Sequence, residues 1–145
     1  MQLHTGEAFF QRLWQDFIGH NPQAAAIYDL LSEQDAVVND HIALRTFDLA
    51  PVALERLEQP LLALGYRVAG HYRFRAKRLE AKHYAHAHLP LIFFSELQTQ
   101  SFSPRFVDIL KQLAAQMPQE TDLAFLASGR PWQISHVDYL ALREE

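Results

Sequence analysis

Residues 37–47, VVNDHIALRTF, combine the composition of a β-strand with a histidine and an arginine four residues apart. Their β-branched and apolar side chains favour a β-strand over a helix. Side chains alternate between the two faces of a strand, so one face is predicted to carry His41, Ala43, Arg45 and Phe47. Ile42 and Leu44 would then face a hydrophobic core on the other side.

The two polar residues of this strand suggest a chemistry. An imidazole beside a guanidinium suits a metal ligand next to an anchor for a substrate carboxylate, because arginine can bind a carboxylate through two parallel hydrogen bonds. The spacing alone also fits a plain structural role. In that case His41 is a half-buried polar residue and Arg45 reaches water.

Length and composition limit the classes of protein to consider. With 145 residues, of which 49% are hydrophobic, the chain is expected to form a single globular domain over residues 1–145. A net charge of -4 without a basic block argues against a nucleic-acid partner. No segment resembles a signal peptide or a membrane span. The absence of cysteine excludes thiolate chemistry and is compatible with a reducing, cytoplasmic location.

Hydrophobic periodicity predicts the order of the elements. Two N-terminal helices precede the strand at 37–47, and a helix over 51–65 follows, interrupted at Pro60. Three further strands are predicted at 66–75, 78–86 and 89–97, and C-terminal helices come last. This β-α-β-β-β order resembles one module of the vicinal-oxygen-chelate (glyoxalase-like) architecture, which predicts an α+β fold.

Five segments resemble one enzyme family over most of the chain and in the same order. They are VNDHIALRTF (38–47), LEAKHY (79–84), LIFFSEL (91–97), the helix opened by Ser103-Pro104, and GRPW (129–132). On these motifs the chain is identified as similar to the family of the iron-dependent 2-oxoadipate dioxygenase/decarboxylase, also called 2-hydroxyglutarate synthase, of lysine catabolism. The similarity is to the N-terminal module of that family.

The resemblance implies roles for individual residues. It makes His41 a ligand of Fe(II), or of another divalent metal, and Arg45 the residue that holds the substrate carboxylate during catalysis. The family's remaining ligands, a histidine and a glutamate, lie in a second module. The chain ends at Glu145, about where family members continue toward that module, so we expect only half of the site here.

Three more residues are candidates for the site. By analogy with glyoxalase-like modules, Glu96 is a candidate second metal ligand, and the alternative, which its position favours, is a solvated carboxylate at a strand end. Two copies of the chain could form a homodimer and bring two His41–Glu96 pairs around one metal. Lys82 and His83, within a family-like motif, are candidates for binding an acidic substrate.

Two functions follow from this interpretation. The first is the N-terminal half of an Fe(II)-dependent dioxygenase/decarboxylase, which would convert a 2-oxo dicarboxylic acid such as 2-oxoadipate into 2-hydroxyglutarate. The alternative is a non-catalytic, half-length glyoxalase-like module that binds a small acid or associates with itself. No membrane or nucleic-acid partner is expected in either case.

Overall fold

The fold is built on one four-stranded sheet. The computed structural model describes residues 5–33 and 35–145. The strands are β1 (His41–Phe47), β2 (Arg67–Phe74), β3 (Leu79–Ala85) and β4 (Leu91–Leu97). Their order across the sheet is β1-β4-β3-β2. β1 runs parallel to β4, and the other two neighbouring pairs are antiparallel.

The predicted α+β, glyoxalase-like arrangement is confirmed. β1 and β2 lie at opposite edges of the sheet, and the helical segment between them carries the chain from one edge to the other. The apolar run of β4 lies in the centre, as its composition predicts. Parallel pairing of β1 with β4 brings the His41 strand directly beside this central strand.

The described residues form seven α-helices in addition to the sheet. They are α1 (Gly6–His20), α2 (Pro22–Ser32), α3 (Leu54–Leu57), α4 (Gln59–Ala63), α5 (Pro104–Ala114), α6 (Leu123–Leu126) and α7 (His136–Arg143). The predicted helix at 51–65 is divided into α3 and α4, since Pro60 lies in the first turn of α4 and lacks the N–H that would continue α3. Ser103 caps α5 as predicted, because its hydroxyl accepts a hydrogen bond from the backbone N–H of Phe106.

The hydrophobic core covers one side of the sheet, which we call the core face. Ile92 and Phe94 of β4 and Tyr84 of β3 are almost completely buried there. They pack with side chains from α1 and the later helices, including Phe9, Leu61, Leu110 and Leu113. Ile42 and Leu44 of β1 contact the same cluster, as the strand pattern predicts.

The second N-terminal helix differs from this pattern. Its apolar positions Ile27, Leu30 and Leu31 are between 57% and 68% exposed, and α2 buries no residue. It contacts α1 through Tyr28, whose ring centroid lies 5.1 Å from that of Trp14. None of the helices between residues 5 and 145, residue 34 aside, combines the length and apolarity that crossing a membrane requires.

Candidate functional site

The side of the sheet away from the core, which we call the open face, carries the candidate site. Ala43 of β1, Phe93 of β4 and His83 of β3 lie in one row across three strands. His41 and Arg45 lie two residues to either side of Ala43, so they share this face. From strand geometry, the Cα atom of His83 lies roughly 12 Å from those of His41 and Arg45. Three of the predicted site residues therefore surround one shallow surface.

His41 is oriented by its neighbour in the chain. Its side chain is 65% exposed, and its Nδ1 atom lies 3.1 Å from Oδ2 of Asp40. With the proton on Nδ1, this nitrogen donates to the carboxylate and Nε2 keeps a free electron pair. A carboxylate that holds the other ring nitrogen is the usual support of a metal-binding histidine.

Arg45 is the cation of the open face on β1. Its side chain is exposed, and within the described part of the chain it takes part in no salt bridge. A guanidinium free of carboxylate partners can give both of its parallel N–H groups to a ligand. Phe47, predicted on the same face, is instead buried in the hydrophobic core cluster.

His83 belongs to an aromatic cluster that the sequence did not reveal. The hydroxyl of Tyr72 lies 2.9 Å from Nδ1 of His83, and the two rings are stacked with centroids 5.8 Å apart. The ring centroid of Phe93 lies 6.0 Å from that of Tyr72 and 6.4 Å from that of Phe74. Tyr72 pairs with Ala81, which lies two residues from His83 on the same face of β3. Alternation along the two strands would therefore have placed Tyr72 beside His83 if the register of β2 against β3 had been known.

Lys82 does not belong to the open face. Because it precedes His83 in a strand, it points to the core face, and its Nζ lies 2.9 and 3.1 Å from the two carboxylate oxygens of Glu58. Tyr84 also donates a hydrogen bond of 2.5 Å to Glu58. Burial and the adjacent Glu58 carboxylate raise the pKa of Tyr84 far above its ordinary value. The structure therefore assigns Lys82 a structural partner, in place of the predicted contact with substrate.

Glu96 is likewise directed away from His41. It pairs with Thr46 of β1 and Glu80 of β3, which places it on the core face, while Arg45 pairs with Ser95. Its Oε2 accepts a hydrogen bond of 2.6 Å from the backbone N–H of Leu54, and its Oε1 accepts one of 2.9 Å from Gln98. Glu96 thus binds the N-terminus of α3, and this position corrects the predicted His41–Glu96 metal pair.

A complete metal site does not fit the residues present. An Fe(II) centre of the two-histidine, one-carboxylate kind needs three side chains that converge. Among residues 5–33 and 35–145, no group of three histidine or carboxylate side chains is close enough to hold a metal ion. His41 is the one predicted ligand that the open face presents.

Comparison with known sequences gives two weak but consistent matches. The chain is 29% identical over 126 residues to the 2-oxoadipate dioxygenase/decarboxylase of Oryza sativa and 25% identical over 144 residues to that of Arabidopsis thaliana. These matches indicate a family-level relation. The chain spans only 35% and 39% of the length of these two relatives. No family model matches it.

Solved structures share the fold over almost the whole chain. A candidate hydrolase from Shewanella frigidimarina NCIMB 400 has a TM-score of 0.90 and 39% identity, and the match covers 99% of this chain and 59% of that one. The hydroxyglutarate synthase of Oryza sativa, solved in complex with 2-oxoadipate, has a TM-score of 0.84 and 24% identity over 94% of this chain and 50% of the other. A candidate glyoxalase-superfamily protein from Ralstonia eutropha JMP134 has a TM-score of 0.68 and 22% identity, covering 95% of this chain and 55% of the other.

Proposed function

We propose that this chain is one module of a protein related to the 2-oxoadipate dioxygenase/decarboxylases and that its open face binds a 2-oxo dicarboxylic acid. One observation carries the proposal: Arg45 is exposed beside His41 on the same sheet face, without a salt-bridge partner among the described residues. Weak sequence similarity to two enzymes named for 2-oxoadipate supports the same class of ligand.

Arg45 holds one carboxylate of the acid in this proposal. A bidentate pair between a guanidinium and a carboxylate fixes the direction of the bound acid as well as its position. Because Arg45 and His41 lie on one strand, this anchor determines which part of the acid comes near the imidazole. Arginine keeps its charge at every physiological pH, so the anchor does not titrate.

His83 serves the second carboxylate. If Tyr72 donates to Nδ1 of His83, the ring carries its proton on Nε2 and can donate it to an acid on the open face. The Cα atoms of Arg45 and His83 are separated by roughly 12 Å. This separation suits an acid with carboxylates at both ends of a short chain.

The metal-dependent reaction would need more than this chain's described residues. His41 supplies one ligand, and the others would come from a second module or from a second copy of the chain in a homodimer. The alternative function is a module that binds a small acid through Arg45 without redox chemistry. For either function we propose a cytoplasmic protein, because its cysteine-free composition requires no oxidising compartment.

Calorimetric titration with 2-oxoadipate tests the proposal. We expect saturable binding, weakened about 10- to 100-fold by Arg45→Gln, because a hydrogen-bonded charge pair contributes roughly 1.5–3 kcal/mol. Arg105→Gln is the matched control, since Arg105 is an exposed arginine on α5 and lies away from the open face. Equal binding to the Arg45 and Arg105 variants would overturn the assignment.

Adipate, which lacks the 2-oxo group, and a monocarboxylic 2-oxo acid separate the parts of the ligand. Loss of one carboxylate should remove the effect of His83→Phe, because no second end remains for the imidazole to bind. If His83→Phe weakens the binding of 2-oxoadipate and of the monocarboxylic acid equally, the two-ended binding mode is wrong, although the role of Arg45 is unaffected.

A further inference from the structure

A second binding space lies on the other side of β1, within the helical layer. It is a partly open cavity of about 550 Å³ between the core face, α5 and the C-terminal segment. Its lining includes Leu44 and Phe94 of the sheet, Leu113 of α5, and Trp132, Ile134 and Leu142 of the C-terminal segment, residues 129–143.

The cavity is large for its chemistry. An enclosed apolar cavity of about 150 Å³ already binds benzene and holds no water. The present cavity is more than three times that volume and lies within the usual range for small-molecule pockets, about 300–1,000 Å³. Its aliphatic and aromatic walls offer few partners to water, so they favour an apolar occupant.

The polar part of the lining has one sign of charge. Arg45, Arg130 and Arg143 all contribute to it. Among the described residues that line the cavity, none is acidic. Arg130 and Arg143 are exposed, which indicates that their charged ends lie at the rim and not in the apolar interior. An apolar interior with a cationic rim is complementary to an anionic amphiphile.

We propose that this cavity binds a long-chain carboxylic acid, with the acyl chain among the apolar walls and the carboxylate at Arg130 and Arg143. The proposed small dicarboxylic acid on the open face would not use it, because its short methylene chain has a carboxylate at each end and one charge would be buried in the apolar interior. Arg45 reaches both spaces because β1 is the edge strand of the sheet. The proposal does not depend on the proposed function.

Trp132 provides a reporter inside the cavity. The chain contains two tryptophans, so Trp14→Phe leaves Trp132 as the sole indole. In this background we would titrate dodecanoate and dodecyltrimethylammonium below their micelle concentrations and dodecanol below its solubility limit, and follow the indole emission. We expect a saturable change with dodecanoate and at least about ten-fold weaker binding of the cationic amphiphile, because charge pairs with arginine favour the acid.

Substitutions at the rim decide whether the arginines select the acid. The double variant Arg130→Gln/Arg143→Gln should weaken dodecanoate about ten-fold and leave dodecanol unchanged, because only the acid uses the charges. Equal binding of acid and cation, a preference that survives in the double variant, or no saturable change with any probe would overturn the proposal.

A second variant and a second ligand guard these results. Leu142→Phe narrows the cavity and should weaken all three amphiphiles. If that variant fails to fold, the exposed arginine variants still decide the question. Titration of the double variant with 2-oxoadipate should match that of the parent, since the open face is intact. A failure of the amphiphile to bind in the cavity is thus distinguishable from a failure of 2-oxoadipate to bind on the open face.

Discussion

Gly70 of β2 controls the arrangement of Tyr72 and His83 on the open face. A Cβ atom at this position would lie 2.6 Å from the Tyr72 hydroxyl oxygen and 2.7 Å from Nδ1 of His83. Both atoms belong to side chains and not to the backbone, so the Tyr72 hydroxyl and the His83 ring could rotate away while the strands stay in place. The movement would, however, separate the hydroxyl from the imidazole.

We therefore expect Gly70→Ala to preserve the fold and to disturb the site. Loss of the Tyr72–His83 hydrogen bond should cost about 1 kcal/mol of unfolding free energy, measured by urea denaturation. Binding of 2-oxoadipate should weaken as well, because His83 is no longer held. An unchanged imidazole signal in the NMR spectrum of the variant would contradict this view.

Gly19 is the matched control for that substitution. It lies in α1, where a Cβ atom would meet no other atom within 4 Å. Gly19→Ala should stabilise the protein by about 0.5–1 kcal/mol, because alanine loses less backbone entropy in a helix than glycine does. Its affinity for 2-oxoadipate should equal that of the parent.

Between elements, the hydrogen bonds of Glu58 join the helical segment to the sheet. Glu58 lies at the junction of α3 and α4, and Lys82 and Tyr84 of β3 both bind its carboxylate. Only 7% of Glu58 is exposed, so its charge depends on these two partners. The same pairing explains why a lysine is tolerated on the core face.

Glu58→Gln should destabilise the fold by about 1–3 kcal/mol, because it leaves the partly buried Lys82 ammonium without a counter-charge. Glu55→Gln, on the exposed side of the same helix, is the control and should change the unfolding free energy by less than about 0.5 kcal/mol. Equal urea midpoints for the two variants would show that the cluster does not hold α3 and α4 on the sheet.

Two buried tyrosines make stability depend on pH in the alkaline range. Burial raises the pKa of Tyr66 to about 12, and burial with Glu58 raises that of Tyr84 further. Above about pH 10 the unfolded chain ionises these phenols and the folded chain does not. The contribution of these two phenols to stability is therefore constant below about pH 10 and falls as the pH rises toward the folded pKa values.

Phenylalanine at either position should reduce that dependence. Tyr66→Phe and Tyr84→Phe should each remove about 1.4 kcal/mol per pH unit from the slope of unfolding free energy above pH 10. Tyr139→Phe, at a position 49% exposed, should leave the slope unchanged. A slope in either buried variant equal to that of the parent would contradict the assignment.

Strand alternation predicted that His41 and Arg45 of β1 share a face, but it predicted neither the burial of Phe47 nor the contacts of the neighbouring strands. His41 and Arg45 lie on one face because a seven-residue strand offers little freedom in its alternation. The face of Glu96 depends on the register of β4 against β1, and register is not encoded locally. The partner of Lys82 lies 24 residues away on a helical segment, so its contact with Glu58 required the tertiary structure.

For the whole molecule, His41 is the metal ligand that we propose among the described residues. We expect anaerobic titration to show weak Fe(II) binding that is lost in His41→Ala, since the described residues offer no cluster of three ligands. His20→Ala is the control, because the His20 ring already contacts a helix carbonyl of α1 at 2.9 Å. Oxygen consumption with 2-oxoadipate should be absent when sedimentation shows a monomer. Full turnover by such a monomer would contradict the half-site interpretation.

Alternation in β3 also constrains how this protein can change during evolution. Lys82 and His83 are neighbours in sequence, yet Lys82 binds Glu58 on the core face and His83 contacts Tyr72 on the open face. Insertion or deletion of a single residue before them would exchange the two sides, directing an imidazole at the buried carboxylate and an ammonium at the open face. Substitutions in β3 can thus change ligand binding during evolution, whereas insertions and deletions are expected only in the loops.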